Sequence, residues 1–468
     1  MLNFSSLTIY RSLLASFIGL LSAFAAAAQA ARPFTPGNFV IVRVGDGKAA
    51  LTSAATAAFL LEYSPTGTLV QTIALPTADA SPNLAFTETG TATSDANLTR
   101  SADGHYLLLP GYNAPVGTPT VANTTASSTN RLICRIAADG TLNITTRIKD
   151  AFSGTASTAG NIRSVASANG SAFYAVGSSN GVVYVPLGNS GNSTVLTAGA
   201  PTNLRAVAIA ADNLYVSSGS AASTGISQVG TGLPTTGPQA VTLLSGFANP
   251  AGTTQALLSS SSFFFTDQSP AVPGPDVLYV ADDGSASGSN AANGGIQKWS
   301  LVNNSWVLNG LITGATNPGL RGLAGTANGP AITLVASSSG SLYAVTDQAG
   351  YNAPPSTSVL PAAIATAGTS MAFRGVAPAP LATALSARPE ATLTQLALYP
   401  SPAQQVVTIR LADGRASGHT AEVRDLRGRL LRTATLPASG QLSLDGLAAG
   451  TYLLTVDGSL TRRISKVD

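Results

Sequence analysis

One short pattern recurs along the chain and restricts its fold more than any other feature: a large apolar residue, Arg, a small residue, Val or Leu, then Ala. It reads Ile162-Arg163-Ser164-Val165-Ala166, Leu204-Arg205-Ala206-Val207-Ala208, Leu320-Arg321-Gly322-Leu323-Ala324 and Phe373-Arg374-Gly375-Val376-Ala377, and Leu98-Thr99-Arg100 begins a looser copy. Shortly after most copies comes a second strand, as in HYLLLPGY from His105, AFYAVGSS from Ala172, NLYVSSGS from Asn213 and AITLVASS from Ala331. VLYVADDG from Val277 is a fifth such strand, preceded by QALLSSSSFFF from Gln255. A third and a fourth strand then flank a Gly or Asn turn, as in RLICRIAADGTLNITTRI and IQKWSLVNNSWVLNGLI. Alternating apolar residues broken by Gly, Asn and Asp are the signature of short antiparallel strands.

A supersecondary unit repeated at fixed spacing cannot bury its apolar face alone and must stack on its neighbours. Four strands per unit is the make-up of a β-propeller blade, and Arg163 to Arg205 spans 42 residues while Arg321 to Arg374 spans 53. Propeller repeats run at roughly 40 to 50 residues. The longer intervals hold Gly, Ser and Pro-rich stretches that suit rim insertions. The expected fold is therefore all-β, with six blades; seven remain open because Leu243 to Phe265 is irregular, and a β-helix or irregular sandwich array is the competing architecture. The two ends of the body have complementary gaps. Phe373 to Ala377 is an inner strand with no partners after it, whereas Phe39 to Val44, Phe59 to Tyr63 and Leu69 to Leu75 are three strands with no inner strand before them. Joining them makes one shared blade and removes free sheet edges.

The last seventy-odd residues follow a different plan. Val407, Ile409 and Leu411 alternate with Thr408 and Arg410, and Tyr452, Leu454 and Val456 alternate with Leu453 and Thr455, the period of two of sheet strands. Four motifs stand in order: Tyr399-Pro400-Ser401-Pro402, the Asp425 to Gly428 turn, the Leu447 to Tyr452 stretch containing Gly450, and a basic end from Arg462 to Lys466. This segment, residues 395–468, resembles the type A C-terminal sorting domain of the type IX secretion system of Bacteroidetes, with Ser401 where that family more often has Asn. The resemblance implies a small β-sandwich, an outer-membrane secretion machinery as partner, removal of the tail on arrival, and a secreted or cell-surface protein that travels through the periplasm. An appended structural or carbohydrate-binding sandwich is the alternative for the tail.

The N-terminus fits export. Arg11 precedes an uncharged stretch from Leu13 to Ala28, and Ala28-Gln29-Ala30 places small residues where a signal peptidase reads, so residues 1–30 are expected to be a signal peptide. The apolar run is shorter than the roughly 18 residues of a spanning helix, and no transmembrane segment is expected in the mature chain. The propeller then occupies 31–380 and a Pro/Ala linker 381–394.

Charge narrows the partners. Residues 31–394 hold 14 Lys plus Arg against 15 Asp plus Glu, whereas the tail holds 9 against 6, so the basic balance belongs to the tail. The body lacks the clustered cations that phosphate binding requires, and nucleic acid is not an expected partner. Cys134 is the only cysteine, which excludes an intramolecular disulfide, and its I-C-R-I setting marks it as a packed strand residue.

Equivalent positions in successive blades place Arg163, Arg205, Arg321, Arg374 and the looser Arg100 near one mouth of the central channel. There they either bind an anionic ligand or tie neighbouring blades by donating to carbonyls, and the sequence leaves both open. Gly177-Ser178-Ser179-Asn180-Gly181 fits a G-x-S-x-G nucleophile pattern, yet it lies between two strands, where a hairpin turn needs the same residues. His105 is the only body histidine. Asp282 and Asp283, followed by Ser285, Ser287 and Asn290, offer hard oxygen ligands for Ca²⁺, although a solvated loop accounts for them as well. No cofactor is otherwise expected. The function these features favour is a non-enzymatic binding or adhesion module for glycans or surface proteins; the alternative is a Ca²⁺-assisted extracellular hydrolase or lyase.

Overall fold

In a computed structural model, the structure describes residues 31–468 except 220–222, 248–258, 285–293, 315–317, 383–395, 412–415 and 459. The expected signal peptide (1–30) and nearly all of the expected linker (381–394) lie outside the described residues. The chain divides into two compact units, Met1–Ala382 and Thr383–Asp468. Among the described residues the named elements are all strands apart from one 3-10 turn, Val121–Asn123, and no described helix is long and apolar enough to cross a membrane.

Six of the seven four-stranded antiparallel sheets lie in the first unit. Five run in chain order: Thr99–Arg100 to Leu142–Ile148, Ile162–Ala166 to Thr194–Val195, Leu204–Ala210 to Val241–Leu243, Ser260–Thr266 to Ser305–Ile312, and Gly322–Asn328 to Ala365–Thr366. The remaining one joins the two ends of the unit. In it Phe39–Val44 pairs with Ala58–Tyr63 on one side and with Ala372–Pro378 on the other, Ile41 facing Leu61 and Val376. The first strands of successive sheets neighbour each other in a cycle, from Thr99–Arg100 through Ile162–Ala166, Leu204–Ala210, Ser260–Thr266, Gly322–Asn328 and Ala372–Pro378 back to Thr99–Arg100.

The alternation within each strand explains the packing. Each sheet has two faces, and each face buries its apolar residues against a different neighbouring sheet. Val40, Leu60, Leu107 and Cys134 share one core, and Leu108, Ile133, Val165 and Phe173 share the next. Val176, Leu204 and Val216 form a third, and Ala206, Val280 and Trp299 a fourth. Tyr279, Leu323 and Leu334 form a fifth, and Val335, Ile41 and Phe373 close the cycle. Cys134 is fully buried, and burial pushes its thiol far above the usual range, which leaves it a packing residue. One seam also holds a buried ion pair: Lys298 Nζ lies 2.7 Å from Asp347 Oδ2, which accepts a 2.6 Å hydrogen bond from the Tyr279 hydroxyl.

The second unit has a three-stranded sheet (Leu396–Tyr399, Val406–Leu411, Gln441–Ser443) and a four-stranded sheet (Leu430–Thr435, Thr420–Arg424, Gly450–Val456, Leu460–Lys466). They bury one common core that includes Val407, Ile409, Val423, Leu454 and Ile464. The sequence motifs do local work here. Asp425 Oδ1 accepts from the backbone N–H groups of Arg427 and Arg429, each at 2.9 Å, and Gly428 takes the left-handed φ of 85° that this turn requires. Tyr452 donates its hydroxyl to the Ala448 carbonyl at 2.6 Å, closing the loop before its own strand, Gly450–Val456.

Candidate functional site

Each repeated arginine stands at or just before the start of a first strand, so the cyclic arrangement brings the four to one end of the unit. Arg163 Nη1 donates to Asn203 Oδ1 at 2.5 Å and to the Leu204 carbonyl at 3.1 Å, reaching the next sheet. Arg205 Nη1 likewise crosses to the next sheet, donating to Ser259 Oγ at 2.8 Å and approaching Asp283 Oδ2 at 3.5 Å. Arg374 donates from Nη2 to the Gly90 carbonyl at 2.8 Å and from Nη1 to the Phe373 carbonyl at 2.9 Å. Arg321 reaches back to the preceding sheet, its Nε 2.8 Å from Asp283 Oδ2. Arg100 points elsewhere, donating to the Ala379 carbonyl at 3.2 Å.

Arg205, Arg321 and Arg374 line a small cavity of about 30 Å³ with Asp95, Ser262 and Ser338. Behind it sits a layer of buried polar groups. Asp95 is 3% exposed; its Oδ2 accepts from Asn161 Nδ2 at 2.7 Å and from the Tyr112 hydroxyl at 3.0 Å, while its Oδ1 has no partner. Glu88 is 1% exposed and neither of its oxygens is hydrogen-bonded among the described residues. Arg163 Nε and Arg374 Nε are also buried without partners. Burial pushes the Glu88 carboxyl well above the usual range, the nearby Asp95 adds to this, and Arg374 only partly offsets it. Asp95 is raised by the same burial, against the pull of Arg163 first, then of its hydrogen bonds and Arg374. Burial thus disfavours the charged form of Glu88, and a buried donor or acceptor without a partner is costly.

A second cavity of about 260 Å³ opens among Arg100, Ser167, Ala208, Phe264, Ala324 and Val376. Both cavities touch Asn97 and Ser262, and a 3.0 Å hydrogen bond from Ser262 Oγ to Asn97 Oδ1 spans the axis between them. Arg100 therefore lines a different cavity from Arg205, Arg321 and Arg374.

The remaining candidates are tied to protein partners. Asp282 Oδ2 accepts from the Ser259 N–H at 2.9 Å and Gln297 Nε2 at 2.8 Å, and its Oδ1 accepts from the Gly284 N–H at 2.8 Å. Burial is the main reason its carboxyl is pushed up to about 6. Asp283 faces Arg205 and Arg321, so these two carboxylates fasten a loop and two guanidinium groups. Ser285, Ser287 and Asn290 lie outside the described residues. Among the described residues no group of three His, Cys, Asp or Glu side chains is arranged to hold a metal ion. Asn180 and Gly181 have φ of 65° and 61°, the paired left-handed residues of a tight hairpin, and Ser179 Oγ turns to Asn180 Oδ1 at 3.0 Å. His105 Nδ1 is engaged 3.0 Å from the Leu381 carbonyl, with no contact to Ser179.

Glu88, Asp95, Asn97, Tyr112 and Asn161 escape sequence reasoning because none recurs from sheet to sheet. The one available signal is scarcity, since Glu88 and Asp95 are two of only 15 body carboxylates and precede the loosest copy of the repeat.

Residues 397–467 match the family model described as a secretion system C-terminal sorting domain. The chain thus carries a type IX sorting tail, which makes it a secreted or outer-surface protein. No curated protein matches the chain. Among solved structures it is similar to PorZ, described as an essential bacterial surface component of the type-IX secretion system of Porphyromonas gingivalis, at 13% identity and a TM-score of 0.38, covering 93% of this chain and 59% of PorZ. The chain thus spans about three-fifths of the length of PorZ. It is also similar to a putative 6-phosphogluconolactonase from Bacteroides uniformis (12% identity, TM-score 0.37, 87% of this chain and 100% of that one). A chain of a nidogen/laminin complex is similar at 11% identity and a TM-score of 0.40, covering 73% of this chain and 98% of that one. Likeness at this level carries no argument about ligand or activity.

Proposed function

We propose that the chain is a type IX cargo whose body, residues 31–380, is a six-bladed propeller joined by a linker at 381–394 to a sorting sandwich at 395–468, and that the body is a non-enzymatic binding module for acidic glycans. The cyclic contact of six first strands supports the propeller, and the shared sheet of Phe39–Val44 and Ala372–Pro378 supports its closure. The observation that carries the binding role is the mouth where Arg205, Arg321 and Arg374 meet Asp95, whose Oδ1 is buried without a partner. Guanidinium donors beside an unused carboxylate acceptor match a sugar acid, which presents a carboxylate and hydroxyl donors together. A cavity of about 30 Å³ has room for about two water-sized groups, so it seats a carboxylate and leaves the sugar ring outside.

The four arginines divide the work. Arg163, Arg205 and Arg374 donate across sheet boundaries and hold the ring. Arg321, with its side chain 31% exposed, meets Asp283 through Nε and keeps its Nη groups for a ligand. Titration of the full chain with an oligouronate, followed by calorimetry, tests this. Arg321→Ala should weaken binding about tenfold or more, the usual value of a hydrogen bond to a charged group, whereas exposed Lys48→Ala should leave it unchanged. Equal binding by Arg321→Ala, or none by the parent, overturns the reading.

A further inference from the structure

Three aromatic rings from two adjacent sheets stand in a row. Tyr215 comes from Asn213–Ser218, Phe265 from Ser260–Thr266 and Trp306 from Ser305–Ile312. Phe265 is the middle ring, its centroid 4.7 Å from Tyr215 and 5.7 Å from Trp306. Trp306 is buried, while Tyr215 and Phe265 keep part of their surface open. They line a cleft of about 440 Å³ whose other wall is Pro273-Gly274-Pro275 and whose rim includes Asn304.

Three properties of this cleft fix the chemistry it suits. First, its size falls in the range of about 300 to 1,000 Å³ found for small-molecule sites. Second, none of its lining residues carries a charge, in contrast to the arginine mouth. Third, polar groups stand around the open aromatic surface. Asn304 is exposed in a two-residue hairpin turn with φ of 62°, and no side-chain hydrogen bond ties it among the described residues. The Tyr215 hydroxyl is likewise free of any hydrogen bond among the described residues, and burial raises its pKa, so it stays a neutral donor and acceptor. An apolar ring face flanked by neutral donors and acceptors complements a sugar ring, which has an apolar C–H face and an equator of hydroxyls.

We infer that this cleft is a second glycan site, one that takes a neutral pyranose by stacking on Tyr215 and Phe265 with hydroxyls held by Asn304 and the Tyr215 hydroxyl. It stands on different residues from the acidic-sugar mouth and does not depend on that reading. The test titrates the full chain with neutral hexose and pentose oligosaccharides, such as gluco-, manno- and xylo-hexaose, by calorimetry and by tryptophan fluorescence. Trp306 lies in the cleft, and the other tryptophan, Trp299, is stacked on Phe247 in a seam. Saturable binding with a change in emission is expected for at least one neutral oligosaccharide. Tyr215→Ala should then weaken it tenfold or more, and Tyr215→Phe several-fold because the stacking face remains. Asn304→Gly removes the amide at a position whose left-handed backbone glycine tolerates, so the fold is kept and a several-fold loss is still read. Arg321→Ala should leave neutral binding intact, which separates the two sites. Absence of binding by any neutral oligosaccharide at about 10 mM, or unchanged affinity in both Tyr215→Ala and Asn304→Gly, overturns the inference. A proline-rich peptide or an apolar dye binding in place of sugars would overturn it as well.

Discussion

Removing residues 31–47 should destroy the first unit rather than merely trim it. The strand Phe39–Val44 is the second of four in the sheet that joins the two ends, so its loss leaves Ala372–Pro378 and Ala58–Tyr63 without their common partner. Five of its six residues, Phe39, Val40, Ile41, Val42 and Val44, are no more than 2% exposed. At about 1.5 to 3 kcal/mol for each fully buried apolar side chain, their burial contributes about 8 to 15 kcal/mol. The net stability of a folded domain is about 5 to 15 kcal/mol, so the deletion removes an amount comparable to the whole. The gentler change Ile41→Ala should cost about 2 to 5 kcal/mol, because Ile41 is fully buried against Val335, Val376 and Phe373 and the ring leaves little room to collapse. The assay is a thermal melt with light scattering on the purified chain. The deletion should give aggregates through the two exposed edges, and Ile41→Ala a soluble protein with a markedly lower Tm. A deletion variant that stays monomeric and melts at the parent temperature would refute the closure.

Two further outcomes follow from other parts of the molecule. Glu88, Asp95 and Asp282 are all raised, so between the unfolded values near 4 and the raised folded values (about 6 for Asp282) the native state binds more protons than the unfolded one. Stability must then fall as pH rises through that window. The Tm should be higher at pH 5 than at pH 7, and Glu88→Gln should raise the Tm at pH 7 and flatten the profile; a parent Tm that drops from pH 7 to pH 5 would count against this. A chain ending at Thr394 should collect in the periplasm while the full chain reaches the surface or medium, read by fractionation and blotting, and equal surface display of both would contradict the role of the tail.

What the sequence discloses and what it hides divide along a physical line. Arg163, Arg205, Arg321 and Arg374 are legible because a repeat fixes equivalent backbone positions, and equivalent positions in a cycle fall at one end. The pairing of Phe39–Val44 with Ala372–Pro378 is legible for the same reason, each end lacking what the other supplies. Arg100 is misplaced by this logic, since its copy is imperfect and its strand, Thr99–Arg100, is only two residues long. The protein partners of Asp282 and Asp283 are hidden because the local sequence does not contain them. Ser259, Gln297, Arg205 and Arg321 reach them from 15 to 78 residues away. The aromatic cleft is invisible for a further reason. Tyr215, Phe265 and Trp306 each look like an ordinary strand aromatic, and only the seam between two sheets sets them side by side.

The placement of the carboxylates follows from the arginines. Four guanidinium groups at equivalent positions around a ring repel one another, and Arg205 lowers the pKa of Arg163 just as Arg321 lowers those of Arg205 and Arg374. In each of the three, burial is the larger cause. A ring of this kind must recruit counter-charge. It does so unevenly, with Asp283 between Arg205 and Arg321, and Asp95 facing Arg163 and Arg374. Because these acids lie off the repeat, they break the symmetry of the ring. Arg321 then becomes the most open guanidinium of the mouth, which it lines together with Asp95, whose Oδ1 has no partner among the described residues. Recurrence thus builds the scaffold, and the departures from recurrence set how its charges are paired.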